Sequence, residues 1–189
     1  MKKYILTMFA MLVFATSFGQ TFDGVKIGGT MAQMRFKLEQ KGYKLDEVKN
    51  NAVWMKGTLA NKKVMIGVVG TPKSKTAWKI VAYLDERKNW YDLKNEFESI
   101  NNILAKKYGE TETCFRFFST PYYEGDGYEI SALANDKVSF ACYYENKEEG
   151  KLTISIEIHS TACILLSYEH IENALLMKKE KEEAEMSSF

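Results

Sequence analysis

Leu59-Ala60-Asn61-Lys62-Lys63-Val64 returns, 74 residues further on, as Leu133-Ala134-Asn135-Asp136-Lys137-Val138, and the rest of the chain is read outward from this recurrence. The alignment continues without a gap. Val64, Ile66 and Val68 match Val138, Phe140 and Cys142, and Trp78, Ile80, Ala82 and Leu84 match Leu152, Ile154, Ile156 and Ile158. Alternate side chains of a strand point to opposite faces of a sheet, so this shared parity predicts equivalent half-buried strands in each copy. Asn61-Lys62 and Asn135-Asp136 are expected as two-residue turns between strands, because Asn tolerates positive φ.

Two helices bracket the first copy. Thr30 and Gln33 form a T-x-x-Q capping box, apolar residues follow at Met31, Met34 and Leu38, and Gly42 supplies the stop. A longer helix starts from an Asn89 cap and places Trp90, Leu93, Phe97, Ile100, Leu104 and Tyr108 at three-and-four spacing before Gly109. A third helix is expected from about Glu169, using Ile171, Ala174 and Leu175, and its KKEKEEAEMSSF end reads as a solvated terminus.

Strands gathered between helices, without strict alternation, point to an α+β fold. The expectation is two tandem helix-plus-antiparallel-meander units forming one sheet packed on one side by helices, with a C-terminal helix. The units span residues 20–88 and 89–168. The second is enlarged by the insertion CFRFFSTPYYEGDGY and by a further strand near Cys163 to Tyr168, and the charged helix occupies 169–189.

Residues 1–19 read as a signal peptide: Lys2 and Lys3, an apolar stretch from Tyr4 to Ala15, then small residues at Ser17 and Gly19. Cleavage after Gly19 leaves Gln20 first, no Cys lies there for lipid attachment, and the apolar stretch is shorter than a membrane span. The chain is therefore expected to be exported, periplasmic or extracellular, with no transmembrane anchor after cleavage. Its 26 Lys plus Arg and 25 Asp plus Glu are interspersed, and the absence of a basic stripe argues against a nucleic-acid partner. An oxidising compartment permits one disulfide among Cys114, Cys142 and Cys163 in any of three pairings, and all three can equally serve as small buried apolar side chains.

Dedicated chemistry is sparse. His159 and His170 sit in no zinc-binding spacing, a Cys163–His159 nucleophile and base would need spatial proximity, and the glycines at 24, 28 and 29 do not have P-loop spacing. No cofactor or metal is expected. Binding candidates come instead from surface composition. On the sheet face where the second unit offers Thr153, Ser155, Glu157 and His159, the first offers Met65, Val69, Val81 and Tyr83, and Trp54 and Tyr128 share a position under the 74-residue offset. The glycine loop 121–129 adds Tyr122 and Tyr123 to Tyr128, with Glu124, Asp126 and Glu129 among them.

FDGVKIGGTMAQMRFKLEQKGYK, WMKGTLANKKVMIGVV and WYDLKNEFESINNILAKKYGE together resemble uncharacterised exported proteins of Gram-negative anaerobes, a likeness that implies no catalytic motif. The tandem helix-plus-strand arrangement resembles, in topology, the β-lactamase inhibitor proteins and small outer-membrane assembly lipoproteins, and fold alone does not convey function. The reading that follows is a non-enzymatic binding module. It would recognise a protein or peptide through a sheet face carrying Trp54, Met65, Val81 and Tyr83, and through Tyr122, Tyr123 and Tyr128. The alternatives are a glycan or cell-envelope hydrolase using Glu124, Asp126 or Glu129, and a structural envelope component attached through its last helix.

Overall fold

The computed structural model describes residues 21–145 and 152–187, so the signal segment expected at 1–19 lies outside the described residues. A small hairpin, β1 (Thr21–Phe22) and β2 (Val25–Lys26), leads into α1 (Met31–Glu39). Four strands follow: β3 (Lys44–Lys49), β4 (Ala52–Leu59), β5 (Lys62–Gly70) and β6 (Ala77–Leu84). The second half runs through α2 (Trp90–Tyr108), β7 (Cys114–Phe118), α3 (Glu129–Ala134), β8 (Val138–Glu145), β9 (Leu152–His159), β10 (Cys163–His170) and α4 (Ile171–Met186). The fold is α+β. Eight strands make one antiparallel sheet in the order β3-β4-β5-β6-β10-β9-β8-β7, so the last strand of each half meets at a central seam.

Local signals explain the helix boundaries. Both arms of the Thr30–Gln33 capping box form, and Gly42, just past the end of α1, takes φ 94°. The Asn89 side chain accepts from the Asp92 amide at the start of α2, and Gly109 closes it with φ 91°. Tight turns do the same for the strands. Asn50-Asn51 and Ala60-Asn61 take positive φ at both positions, the left-handed geometry that matches the twist of the flanking strands.

One face of the sheet carries the core. Met34 and Leu38 from α1, Trp90, Leu93, Phe97 and Leu104 from α2, and Leu133 from α3 pack onto Ile66, Ile80, Ala82, Phe140, Ile154 and Ile156. Each large apolar side chain so buried contributes roughly 1.5–3 kcal/mol. Trp90 meets Phe118 and Phe140 edge-on at 5.2 and 5.0 Å, which fixes the start of α2 over the second half. Glu96 then ties the same helix to the first half. It is buried, and it accepts from Lys62 Nζ at 2.8 Å and from Arg87 Nε and Nη2 at 2.8 and 2.9 Å. Burial pushes its carboxyl up, but the charge-assisted bonds from Arg87 and Lys62 outweigh that and hold it below its ordinary value.

The recurrence at 59 and 133 has different structural contexts. Ala60-Asn61, one residue earlier than expected, forms the β4–β5 turn, whereas Asn135-Asp136 follows α3 and leads into β8. Register differs too, since Ile66 faces Ala82 while Ile156, the offset equivalent of Ala82, faces Cys142. The offset matches β5 to β8 and β6 to β9, but counting outward from the β6–β10 seam matches β5 to β9 and β6 to β10. The first half also has a fourth strand, β3, whose KLDEVK sequence is exposed throughout and carries no alternating apolar signal.

The last helix differs from expectation in what anchors it. Leu175 is 60% exposed and no α4 residue joins the main core, yet Glu180 is buried. Its carboxylate accepts from the Lys73 amide at 2.7 Å and from the Ser74 amide at 3.1 Å, pinning α4 to the β5–β6 turn. The Ser74 side chain and these backbone donors hold the carboxyl down at about 2.

Candidate functional site

The face turned away from α1, α2 and α3 is built by strand register. Trp54, Gly67, Val81, Ser167, Ser155 and Tyr143 line up across β4, β5, β6, β10, β9 and β8. The neighbouring row places Met65 opposite Tyr83, Tyr83 opposite Leu165, Leu165 opposite Glu157, and Ala141 between Glu157 and Phe115. From β4 to β7 these rows extend about 29 Å at the usual interstrand spacing.

Trp54, Met65, Val81 and Tyr83 thus share one face and adjoin one another. Gly67 is the reason Trp54 lies down on the sheet: a Cβ there would come within 2.8 Å of the indole Cζ3 and 3.0 Å of Val81 Cγ2. Tyr83 sits between two rings, 6.2 Å from Trp54 and 5.4 Å from the His159 imidazole, the latter edge-on. Val81 is 7% exposed and forms the floor, while Met65 is 38% exposed. Burial pushes the Tyr83 hydroxyl up, with the Cys163 and Glu157 charges adding to it.

A second apolar group occupies the far end of the same face. Phe115 and Phe117 on β7 are 46% and 51% exposed, and the Phe115 ring meets that of Tyr143 at 6.3 Å. This strand falls within the stretch expected as an insertion, because five residues next to a long connection show too little periodicity to mark a strand. Cys114 and Cys142 face each other across β7 and β8 and form a disulfide, with Cα atoms 4.1 Å apart. Their separation suits a closely spaced antiparallel pair, and the bond ties the outermost strand to the sheet.

Cys163 is free and buried at the edge of the first group, in a recess lined by Met65, Tyr83, His159 and Thr161. The Thr161 hydroxyl lies 2.8 Å from His159 Nδ1 and 3.3 Å from Cys163 Sγ, so it stands between the imidazole and the thiol. Burial pushes the thiol up, against the lowered value an activated nucleophile needs.

The tyrosine loop lies elsewhere. Glu124 accepts from Trp90 Nε1 at 3.1 Å and from Lys94 Nζ, both on α2, so the loop is fastened to the helical side of the sheet. Tyr123 and Tyr128 are each 65% exposed and Tyr122 is half-buried. Tyr128 caps α3 and shares no environment with Trp54 on β4, despite their common offset. Lys94, then Trp90, holds the Glu124 carboxyl below its ordinary value. Asp126 accepts from the Tyr123 and Tyr128 amides and Glu129 from the Gly125 amide, so these two carboxylates serve the loop's own geometry.

Among the described residues no group of three or more His, Cys, Asp and Glu is placed to hold a metal ion, and no described helix is long and apolar enough to cross a membrane. No family model, curated protein or solved structure matches the chain.

Proposed function

We propose that this chain is an exported binding module that docks a protein or peptide partner on the sheet face opposite α1, α2 and α3. The supporting observation is the pair of apolar and aromatic groups on that face, Trp54–Met65–Tyr83 and Phe115–Phe117–Tyr143. They are joined by a floor of buried side chains at Val81, Ser167, Leu165 and Ala141. Exposed Met65, Phe115, Phe117 and Tyr143 and half-buried Trp54 and Tyr83 over a recessed floor, with Lys56 and Glu157 beside them, have the composition of a recognition surface.

In this reading the sheet consists of two helix-plus-four-strand units. The first is α1 with β3–β6 and the second α2 with β7–β10, meeting at the β6–β10 seam. The helices cover one side and leave the other for the partner, in the periplasm or outside the cell. The hydrolase alternative draws less support, because a general acid needs a raised carboxyl and Glu124 is lowered.

Val81 is too buried for a clean surface substitution, so the test uses Met65→Lys with Phe115→Lys. Partners captured from periplasmic extract by the wild type should be lost by this variant while its circular dichroism stays unchanged. The same partners retained by both proteins would remove this face from consideration.

A further inference from the structure

On the opposite, helical side of the sheet lies an apolar cavity of about 350 Å³, between the β1–β2 hairpin, the β4–β5 turn and α2. Leu84, Leu166 and Tyr168 from the sheet and Leu59, Ile100 and Leu104 around them form its lining. Its size falls within the range of small-molecule sites, and its lining is apolar with few polar groups, as such sites are.

The polar groups are not spread evenly. Along α2 the cavity runs from Ser99 to Lys107, about 12 Å at the helical rise. The register puts Tyr168 opposite Ile80 and Ile154, and Ile154 opposite Tyr144, whose ring contacts that of Tyr108 at 6.4 Å. Tyr168 therefore lies at the Lys107 end, four residues along β6 from Leu84, or about 13 Å at strand rise.

Tyr168 is 8% exposed, and its hydroxyl makes no hydrogen bond among the described residues. A buried hydroxyl without a partner is an exception to how proteins satisfy polar groups. Yet Trp78 Nε1 is the only wholly enclosed unpartnered side-chain donor or acceptor among the described residues, so the Tyr168 oxygen is not wholly enclosed, and Tyr168 is one of the residues that line the cavity.

Lys107 offers a cation at this end of the cavity. Lys107 has no ion-pair partner among the described residues and rests over the Tyr108 ring at 4.9 Å. Lys41 Nζ lies 3.4 Å from where a Gly24 side chain would begin, on the cavity wall. Opposing them is Asp23, which accepts from the Tyr43 hydroxyl at 3.3 Å. Lys62, at the other end, is held by Glu96.

We infer that this cavity binds a single-chain alkyl carboxylate, with the carboxylate at the Tyr168–Lys107 end and the chain lying toward Leu84, Leu59 and Ile100. Tyr168 donates its hydroxyl proton to a carboxylate oxygen, Lys107 supplies the countercharge, and the chain fills the apolar length. The site is independent of the docking face, which lies on the other side of the sheet.

Titration calorimetry with decanoate, whose chain of roughly ten carbons suits such a cavity, tests this on the purified protein. The wild type should bind saturably at one site. Tyr168→Phe should weaken decanoate about tenfold, the loss of a hydrogen bond to a charged group, with the unliganded melting temperature unchanged or raised. Lys107→Gln should weaken decanoate about threefold and leave decanol unaffected, and Ser99→Trp, at the exposed rim, should block both. Absence of saturable binding to the wild type, or equal decanoate affinity in the Tyr168→Phe protein, would overturn the assignment.

Discussion

The two halves of the sheet hold their outer strands by different means. In the first, β3, β4 and β5 are joined by two-residue turns at Asn50-Asn51 and Ala60-Asn61, so each pairing closes almost without loop entropy. In the second, β7 reaches β8 only through residues 119–137, and a covalent bond between Cys114 and Cys142 sets the pairing. The exposed edges differ in the same sense. On β3, Lys44, Asp46, Glu47 and Lys49 charge the edge and a bulge interrupts it, two ordinary defences against unwanted strand pairing. On β7, Phe115 and Phe117 stand exposed beside Arg116, which is held by Glu98. A local turn and a distant cross-link are alternative ways to hold an edge, and both edges expose apolar side chains, Leu45 and Val48 on β3 and Phe115 and Phe117 on β7.

Breaking the cross-link should give the largest effect. For the 28-residue separation, loop-closure entropy predicts a loss of up to about 3.5 kcal/mol when Cys114 and Cys142 are both replaced by Ala. Chemical denaturation measures the loss, and amide exchange should quicken in β7 and β8 while β3 to β5 keep their protection. Uniform loss of protection across all eight strands would mean that the halves are not held separately.

The first half has its own sensitive point at Gly67. A Gly67→Ala substitution forces Trp54 and Val81 apart, with an expected cost of about 1–3 kcal/mol from overpacking and a shift in tryptophan fluorescence as the indole leaves the sheet. Unchanged fluorescence and stability would show that Trp54 does not depend on the missing side chain.

The smallest effect is confined to α4. Because Glu180 is held down at about 2, below the ordinary carboxylate value near 4.5, its contact with the 73–74 amides is fully present above about 4.5 and is lost as pH falls toward 2. Proteolysis or amide exchange of α4 should therefore rise across that acid window before the sheet opens. Glu180→Gln, which carries no titrating charge, should abolish the pH dependence.

Much of this architecture was legible in the sequence. The caps at Thr30 and Asn89, the apolar period of α2 and the alternating runs of β5, β6 and β9 are short-range patterns, and each formed where its residues predicted. The grouping of Met65 with Val81 and Tyr83 was legible too, since alternate residues of a strand go to one face, whereas Trp54 joins them only through the β4–β5 register. The tyrosine loop was not. Its place depends on Glu124 meeting Trp90 and Lys94 across 30 or more positions of chain, which no local spacing encodes.

By itself, the sequence determined α1, α2 and the alternating strands β5, β6 and β9 with their apolar faces, because those properties depend on neighbours one to four residues away, whereas β3, β7 and α3 carry no such local pattern. Only the tertiary structure decided that β6 meets β10, that Cys114 chooses Cys142 over Cys163, that Glu180 anchors α4, and that Tyr168 borders a cavity. These are contacts between residues far apart in the chain. They are selected by the free energy of the whole packed arrangement, so no single stretch carries their signature.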